Sequence, residues 1–311
     1  MRSLGSHPQV PAHVRGTNLA QLTQPADAPY IGTTRSTKRV IKKVLTDLFF
    51  YALMTALAAI FLAPLAWMIT ASLRPEREVL SLPPRFYPND FEWSNYQTVW
   101  DVIPRFLWNS VKLAVINVVG VLFVSSLAAY AFARLNFRGK GVAFSILLST
   151  LMVPGIVTLI PLYIIYRDIG WIDTHFPLWV PRVLHSVFAI FLLRQFFMQI
   201  PMDLDDAARL DGASSFEIYW RIMLPQVTPA LAAVAIFTFL DSWNDLFGPL
   251  IFLNDPDLQT LPIALKLFQG EYFSQVSVLM AGATISIIPV VLIYFAAQRY
   301  FLRGIVLTGL K

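Results

Sequence analysis

An all-α, polytopic membrane protein with six transmembrane helices is the fold class this sequence predicts, and three observations predict it. Of 311 residues, 56% are hydrophobic and only 14% are charged, whereas a soluble domain carries about a quarter charged residues. Mean hydropathy is +0.59. The apolar residues collect into runs of about twenty, the length a helix needs to cross a hydrocarbon core. Aromatics make up 14% of the chain, and its 24 Phe and 8 Trp suit a lipid-facing exterior with interfacial belts.

Taken in order, residues 1–34 are rich in Pro, Thr, Gln and Ser without hydrophobic period, the composition of a disordered tail. Arg35, Lys38, Arg39, Lys42 and Lys43 then stand directly ahead of the first apolar run. A basic cluster in that place holds the N-terminus in the cytoplasm. The chain therefore divides into a basic cytoplasmic tail, 1–44, and a six-span domain, 45–311. The first 44 residues contain no apolar core of a signal peptide, so none is expected.

Six segments are long and apolar enough to span: roughly 47–71, 108–132, 142–166, 178–199, 227–253 and 278–301. The fourth is the most polar, with Arg182, His185 and Arg194. Arg134, Arg138 and Lys140 fill the short second connection, and Arg299, Arg303 and Lys311 close the chain. With the N-terminal cluster they place both termini on the cytoplasmic side. Pro154 and Pro161 interrupt the third span, where neighbouring helices or a wet cavity must satisfy the freed carbonyls.

Several chemistries are excluded. There is no cysteine, hence no disulfide, thiolate catalysis or Cys-based metal site. The four His (His7, His13, His175, His185) lie far apart without metal-ligand spacing, so no metal site is expected. No nucleophile–base pair occurs. The absence of Gly-x-x-x-x-Gly-Lys-Ser/Thr rules out ATP hydrolysis by the P-loop route. The cations, net +5, fall between apolar runs instead of forming one face, which argues against nucleic acid.

The longest polar interruption, 201–225, reads as helix, tight turn, helix. Asp203 is placed to cap the first helix, with Asp205 and Asp206 where the dipole favours acids. Ala207 and Ala208 give it a small surface that another protein can approach closely. Gly212 is placed as the C-cap. Ser214 and Glu217 form a capping box for the second helix, which ends at Pro225. Phe216, Tyr219, Trp220 and Met223 share one face of it, and Glu217 and Arg221 pair on another. Periodicity alone fits a membrane-surface connector equally well.

Span five holds the most costly residues. Thr238, Asp241, Asn244, Asp245 and Gly248 fall on one helical stripe, and acids deep in a bilayer must face a bundle interior or an aqueous cavity. Lining a solute pathway is the favoured expectation. The alternative is an interhelical lock to Arg182 or Arg194.

Motifs along most of the chain carry a resemblance. Asp206-Ala207-Ala208, then Asp211-Gly212-Ala213, then Ile222, Leu224 and Pro225 resemble the cytoplasmic loop of permease subunits in binding-protein-dependent ABC importers, with Asp206 in place of the family's usual Glu. Residues 129–134 (Ala-Tyr-Ala-Phe-Ala-Arg), Ile160–Tyr163, Arg194–Phe197, Ser242–Asp245 and Gln298–Phe301 are similar to carbohydrate-uptake permeases such as the smaller permease of the maltose transporter. The resemblance implies the type I importer permease fold, in which 201–225 is the coupling helix. Asp205, Asp206, Ala207, Ala208, Asp211, Gly212, Ala213, Leu224 and Pro225 would dock on an ATPase. It implies a sugar substrate, a second permease subunit, an ATPase dimer that binds ATP and Mg, an extracytoplasmic solute-binding protein, and residence in lipid as a bacterial inner-membrane protein. This chain would be no enzyme and hold no cofactor. Residues 254–276 would face the binding protein, and 302–311 would reach the ATPase. A proton-coupled transporter using Asp241 or Asp245, and a membrane enzyme using them as acid and base, are the other classes to weigh.

Overall fold

A computed structural model describes residues 37–79, 81, 86–271 and 275–308. Every regular element among them is helical. Four helical stretches are long and apolar enough to span a membrane, and two further helix pairs would each make one sharply bent span, giving up to six.

Helix α1 (Thr37–Ser72) opens the chain. The tail expected over 1–44 ends sooner than that, because α1 takes up Thr37 to Val44. Lys and Arg are good helix formers, so the basic stretch extends the apolar run instead of ending it. Residues 1–36 lie outside the described residues. The described residues divide into two units between Ile60 and Phe61, and side chains 41–60 of the first are exposed.

In the second unit, α2 (Glu76–Val79) precedes α3 (Ser94–Arg134), the spine of the bundle. At a 1.5 Å rise its 41 residues are about 60 Å long, twice a hydrocarbon core. Val99, Ile103, Phe106, Ser110, Leu113 and Asn117 recur every three or four positions as its buried stripe. Asn117 donates to Ser242 Oγ at 2.9 Å, polar glue between two spans.

The third span is not a single helix. Helix α4 (Lys140–Ser149) runs through a 3₁₀ turn, Thr150–Met152, and stops; α5 (Gly155–Asp168) leaves at a 99° bend. Pro154 forces the preceding Val153 into extended backbone (ψ 114°), whereas Pro161 is accommodated inside α5. The fourth span is α6 (Phe176–Leu184) plus α7 (Val187–Gln199), parted at His185 and Ser186.

The fifth expected span, 227–253, also breaks. Helix α11 (Thr228–Trp243) ends at Asn244, and α12 (Phe247–Phe252) restarts with Pro249 tolerated in its first turn. Asp245 Oδ1 accepts the Gly248 amide at 3.0 Å, a side-chain cap that favours the restart. Within the region expected to be a loop, Leu261–Glu271 forms a helix, α13. Its buried Leu261, Ala264 and Phe268 are a helical stripe already visible in the sequence. Helix α14 (Val276–Thr308) closes the described chain; residues 309–311 lie outside it.

Far from residues 200–226, the loops between these helices are tied together. Asp173, at φ 63°, accepts the amides of Asn254 and Asp255, both at 2.8 Å. Asn109 donates to the carbonyls of Asp257 and Gln259, and Arg105 pairs with Asp257.

Candidate functional site

Residues 200–226 form a compact knob at one end of α3. Helix α8 (Asp203–Leu210) has Met202 as its N-cap, which puts Asp203 inside the first turn instead of at the cap. The turn is closed as expected from Gly212. At φ 83° that residue lets its own N–H reach Arg209 O (3.0 Å) and the Ala213 N–H reach Ala208 O (2.9 Å). These two bonds are a Schellman pair. Ser214 and Glu217 make the capping box: the Glu217 carboxylate accepts the Ser214 amide at 3.0 Å and Ser214 Oγ accepts the Glu217 amide at 3.3 Å. The Ser214 amide, and the Ser214 hydroxyl donating at 3.1 Å, hold the Glu217 carboxyl below its ordinary pKa.

The second helix of the knob winds differently from the expectation. Helix α9 (Ser215–Glu217) passes into a π turn, Ile218–Met223, then α10 (Leu224–Gln226), and meets α11 at 79°. A π turn is wider than an α turn. Positions 219, 223 and 227 therefore align, and Ile218, Tyr219, Met223 and Val227 are buried. Phe216 and Trp220, expected on the same apolar face, are exposed. The helix also continues one residue past Pro225. Glu217 and Arg221 do pair, at 3.8 Å.

The nine residues expected to dock on a partner separate into two faces. Asp206, Ala207, Asp211, Gly212 and Pro225 are exposed, beside Leu210 at 89%. Ala213 and Leu224 are half-buried and Ala208 is buried against the bundle. Asp205 does not fit the expected role: its side chain is fully buried and lies 3.1 Å from Arg134 Nη1. Arg134 had been counted only as a topology signal. It is buried, and also donates to Ile200 O at 2.5 Å. Lys140, from the same basic cluster, reaches the carbonyls of Ala133 and Leu135 and so finishes the C-terminus of α3. Sequence spacing alone could not pair Arg134 with Asp205, 71 positions later (205 − 134).

The second cluster lies where α6 meets the end of α11. Arg182 Nε is 3.0 Å from Asp241 Oδ2 and its Nη2 donates to Asp245 Oδ2 at 3.2 Å. The lock weighed at the sequence level is therefore present, through Arg182. Arg194 turns elsewhere, donating to Phe132 O and lying over the Phe144 ring. Arg182, Ser186, Phe188, Phe237, Thr238 and Asp241 line a cavity of ≈ 350 Å³. Asn244 bonds back to Leu240 O and lines a separate cavity of ≈ 530 Å³ with Trp243 and Ser286. The expected stripe is therefore divided, because α11 ends before reaching Asn244.

Comparison with known proteins places this geometry. The family described as binding-protein-dependent transport system inner membrane component matches residues 120–306, which include both the knob and the Arg182 cluster. The chain belongs to that family. A probable ABC transporter permease of Bacillus subtilis, YurM, is 34% identical over 254 residues, 80% of this permease and 83% of the relative. The arabinooligosaccharides transport system permease AraQ of Halalkalibacterium halodurans is 33% identical, covering 89% of this permease and 99% of AraQ. Among solved structures, a chain of a bacterial ABC transporter involved in the import of the acidic polysaccharide alginate superposes with a TM-score of 0.70 at 26% identity. It covers 84% of this permease and 98% of that chain. The polytopic, all-α importer-permease fold expected from the sequence is the fold observed.

Proposed function

We propose that this permease forms half of the membrane pathway of an ATP-driven importer for a sugar or oligosaccharide. Its partners are a second permease subunit, an ATPase dimer that holds ATP and Mg, and an extracytoplasmic solute-binding protein. This chain contributes no ATPase site and no cofactor. Both termini and the knob face the cytoplasm, in agreement with the basic residues around them. The sugar class is supported by relatives named for arabinooligosaccharides and, in Rhizobium radiobacter, lactose.

The observation that carries the proposal is the division of the knob into a buried back and an exposed front. Schellman and capping-box bonds fix its shape without help from a partner, while Asp206, Ala207, Leu210, Asp211 and Gly212 project outward. Among the described residues Asp206 has no ion pair. A small, preformed, acidic projection fits a cleft on another protein. The cavity beside Thr238 and Asp241 lies in the size range of small-ligand sites and joins carboxylate, hydroxyl and aromatic groups that suit sugar hydroxyls and ring faces. The proposed pathway role falls on Thr238 and Asp241, with Asp245 joined to them through Arg182 and Asn244 reached from the second cavity.

Asp206→Lys is the test. With the knob intact but its front charge reversed, recovery of the ATPase subunits with the permease falls at least tenfold and sugar uptake with it. Unchanged recovery and uptake would remove the docking assignment.

A further inference from the structure

Besides its direct continuation from α7 at Ile200, the knob is joined to the rest of the permease by two routes, and they differ in stiffness. The covalent route to α11 runs through a π turn at Ile218–Met223 and then a 79° bend at Val227. The second route is α3. Ser126, Tyr130 and Arg134 stand four residues apart on one face of that helix. Each holds a different part of the knob. The Ser126 and Tyr219 hydroxyls are bonded at 2.8 Å, Tyr130 donates to Ser215 O at 3.1 Å, and Arg134 faces Asp205 at 3.1 Å while donating to Ile200 O.

The Arg134–Asp205 pair is poorly explained as a stabilising contact. Both side chains are almost wholly out of solvent, at 2% and 0% exposure. Among the described residues neither Asp205 oxygen accepts an aligned hydrogen bond, and Arg134 Nε has no acceptor. Buried pairs that incomplete gain little over apolar side chains of the same size. What such a pair does supply is direction. If the knob slides along α3, two charges part where water cannot replace either partner, so displacement is resisted more steeply than by apolar packing.

We propose that Arg134 and Asp205 are positioning residues, forming with Tyr130 and Ser126 a three-point strut through which movement of the knob is delivered to α3 instead of directly to α11. α3 in turn packs against α6, α7, α11 and α14. A push on α3 therefore reaches both sides of the Arg182 cluster, which lies between α6 and the end of α11. This inference rests on the docking role proposed for the knob.

The chain has no cysteine, so introduced pairs carry spin labels in this subunit at the chosen positions alone. In the purified complex of this permease with its partner permease and ATPase subunits, one label replaces exposed Arg209 of the knob. A second replaces Val119 on α3 or Phe237 on α11, both exposed. Distances are read without nucleotide and after trapping with Mg-ATP and vanadate. The strut predicts a 209–119 distance that shifts by less than its own distribution width, while 209–237 changes. A 209–119 distance that shifts as much as 209–237 overturns it.

The double variant Arg134→Met/Asp205→Leu replaces the pair with apolar side chains and leaves no orphan charge. It should melt like the wild type and retain its ATPase subunits, but its 209–119 distribution should broaden and sugar uptake per ATP hydrolysed should fall at least fivefold. Arg134→Lys alone, which leaves Asp205 in place and keeps the ion pair, should retain most of that ratio. Wild-type coupling in the apolar double variant would show the pair to be filler. Loss of ATPase recovery on the wild-type chain itself would instead refute the docking role.

Discussion

Gly120 offers a sharp test of how tightly α3 and α6 meet. A Cβ built there would lie 2.5 Å from Val183 Cγ2 and 3.0 Å from Cγ1. Carbon atoms in good contact stand about 3.5–4.0 Å apart, so Gly120→Ala demands that something yield by about 1 Å. Valine in a helix has one strongly preferred rotamer, and both of its methyls are already close, so rotation gives no relief. The helices must separate, and overpacking of this kind costs about 1–3 kcal/mol. The assay is a double-mutant cycle on thermal unfolding in detergent. Val183→Ala removes both obstructing methyls, so Gly120→Ala should be destabilising in the wild type and close to neutral in the Val183→Ala background, a coupling of at least about 1 kcal/mol. Because Arg182 is adjacent to Val183 in sequence, the single variant should also lower uptake. Additive effects of the two substitutions, or a Gly120→Ala protein that melts with the wild type, would refute the close approach.

Two further outcomes follow from the geometry. Arg182→Gln leaves Asp245, one-fifth exposed, with only the Gly248 amide; between the losses known for buried and exposed pairs, about 2 kcal/mol is expected in the melting of the purified chain. Adding Asp245→Asn should recover most of it, and failure to recover would deny the lock. His175, whose Nε2 meets Leu258 O at 2.8 Å, has its pKa lowered by burial, with Lys112 adding to the effect against that hydrogen bond. A lowered folded-state pKa means that stability is fully present above the ordinary His value of about 6.5 and lost as pH falls below it. Melting temperature should therefore drop more steeply below that pH in the wild type than in His175→Gln, and parallel pH profiles would contradict the assignment.

Much of the knob was legible because its signals are local. A Gly with positive φ, a Ser-x-x-Glu box and acids in a first turn each act over three or four residues. They therefore appear in the sequence at the spacing where they act. The helical pattern of α13 is equally local, but at the sequence level 254–276 is taken only as a connection facing the binding protein. The phase of the second knob helix was not legible. Its α-helical apolar face at Phe216, Tyr219, Trp220 and Met223 was a sound pattern, but the π turn shifts burial to Ile218, Tyr219, Met223 and Val227. That turn pays for its poorer hydrogen bonding through tertiary packing against α3.

By itself the sequence determined that the chain is an all-α membrane protein, roughly where its apolar segments lie, and that a capped helical projection interrupts them. Those features follow from apolar length, local caps and charge. Only the tertiary structure decided which charges are structural. Arg134 and Asp205 resemble ordinary surface residues of a basic connection and an acidic helix, yet they are buried against each other. Arg182 could have served Asp241 and Asp245 or left them to solvent, and it binds both. The reason is physical: a cap is satisfied within one turn of chain, whereas an ion pair between distant segments depends on how whole helices pack.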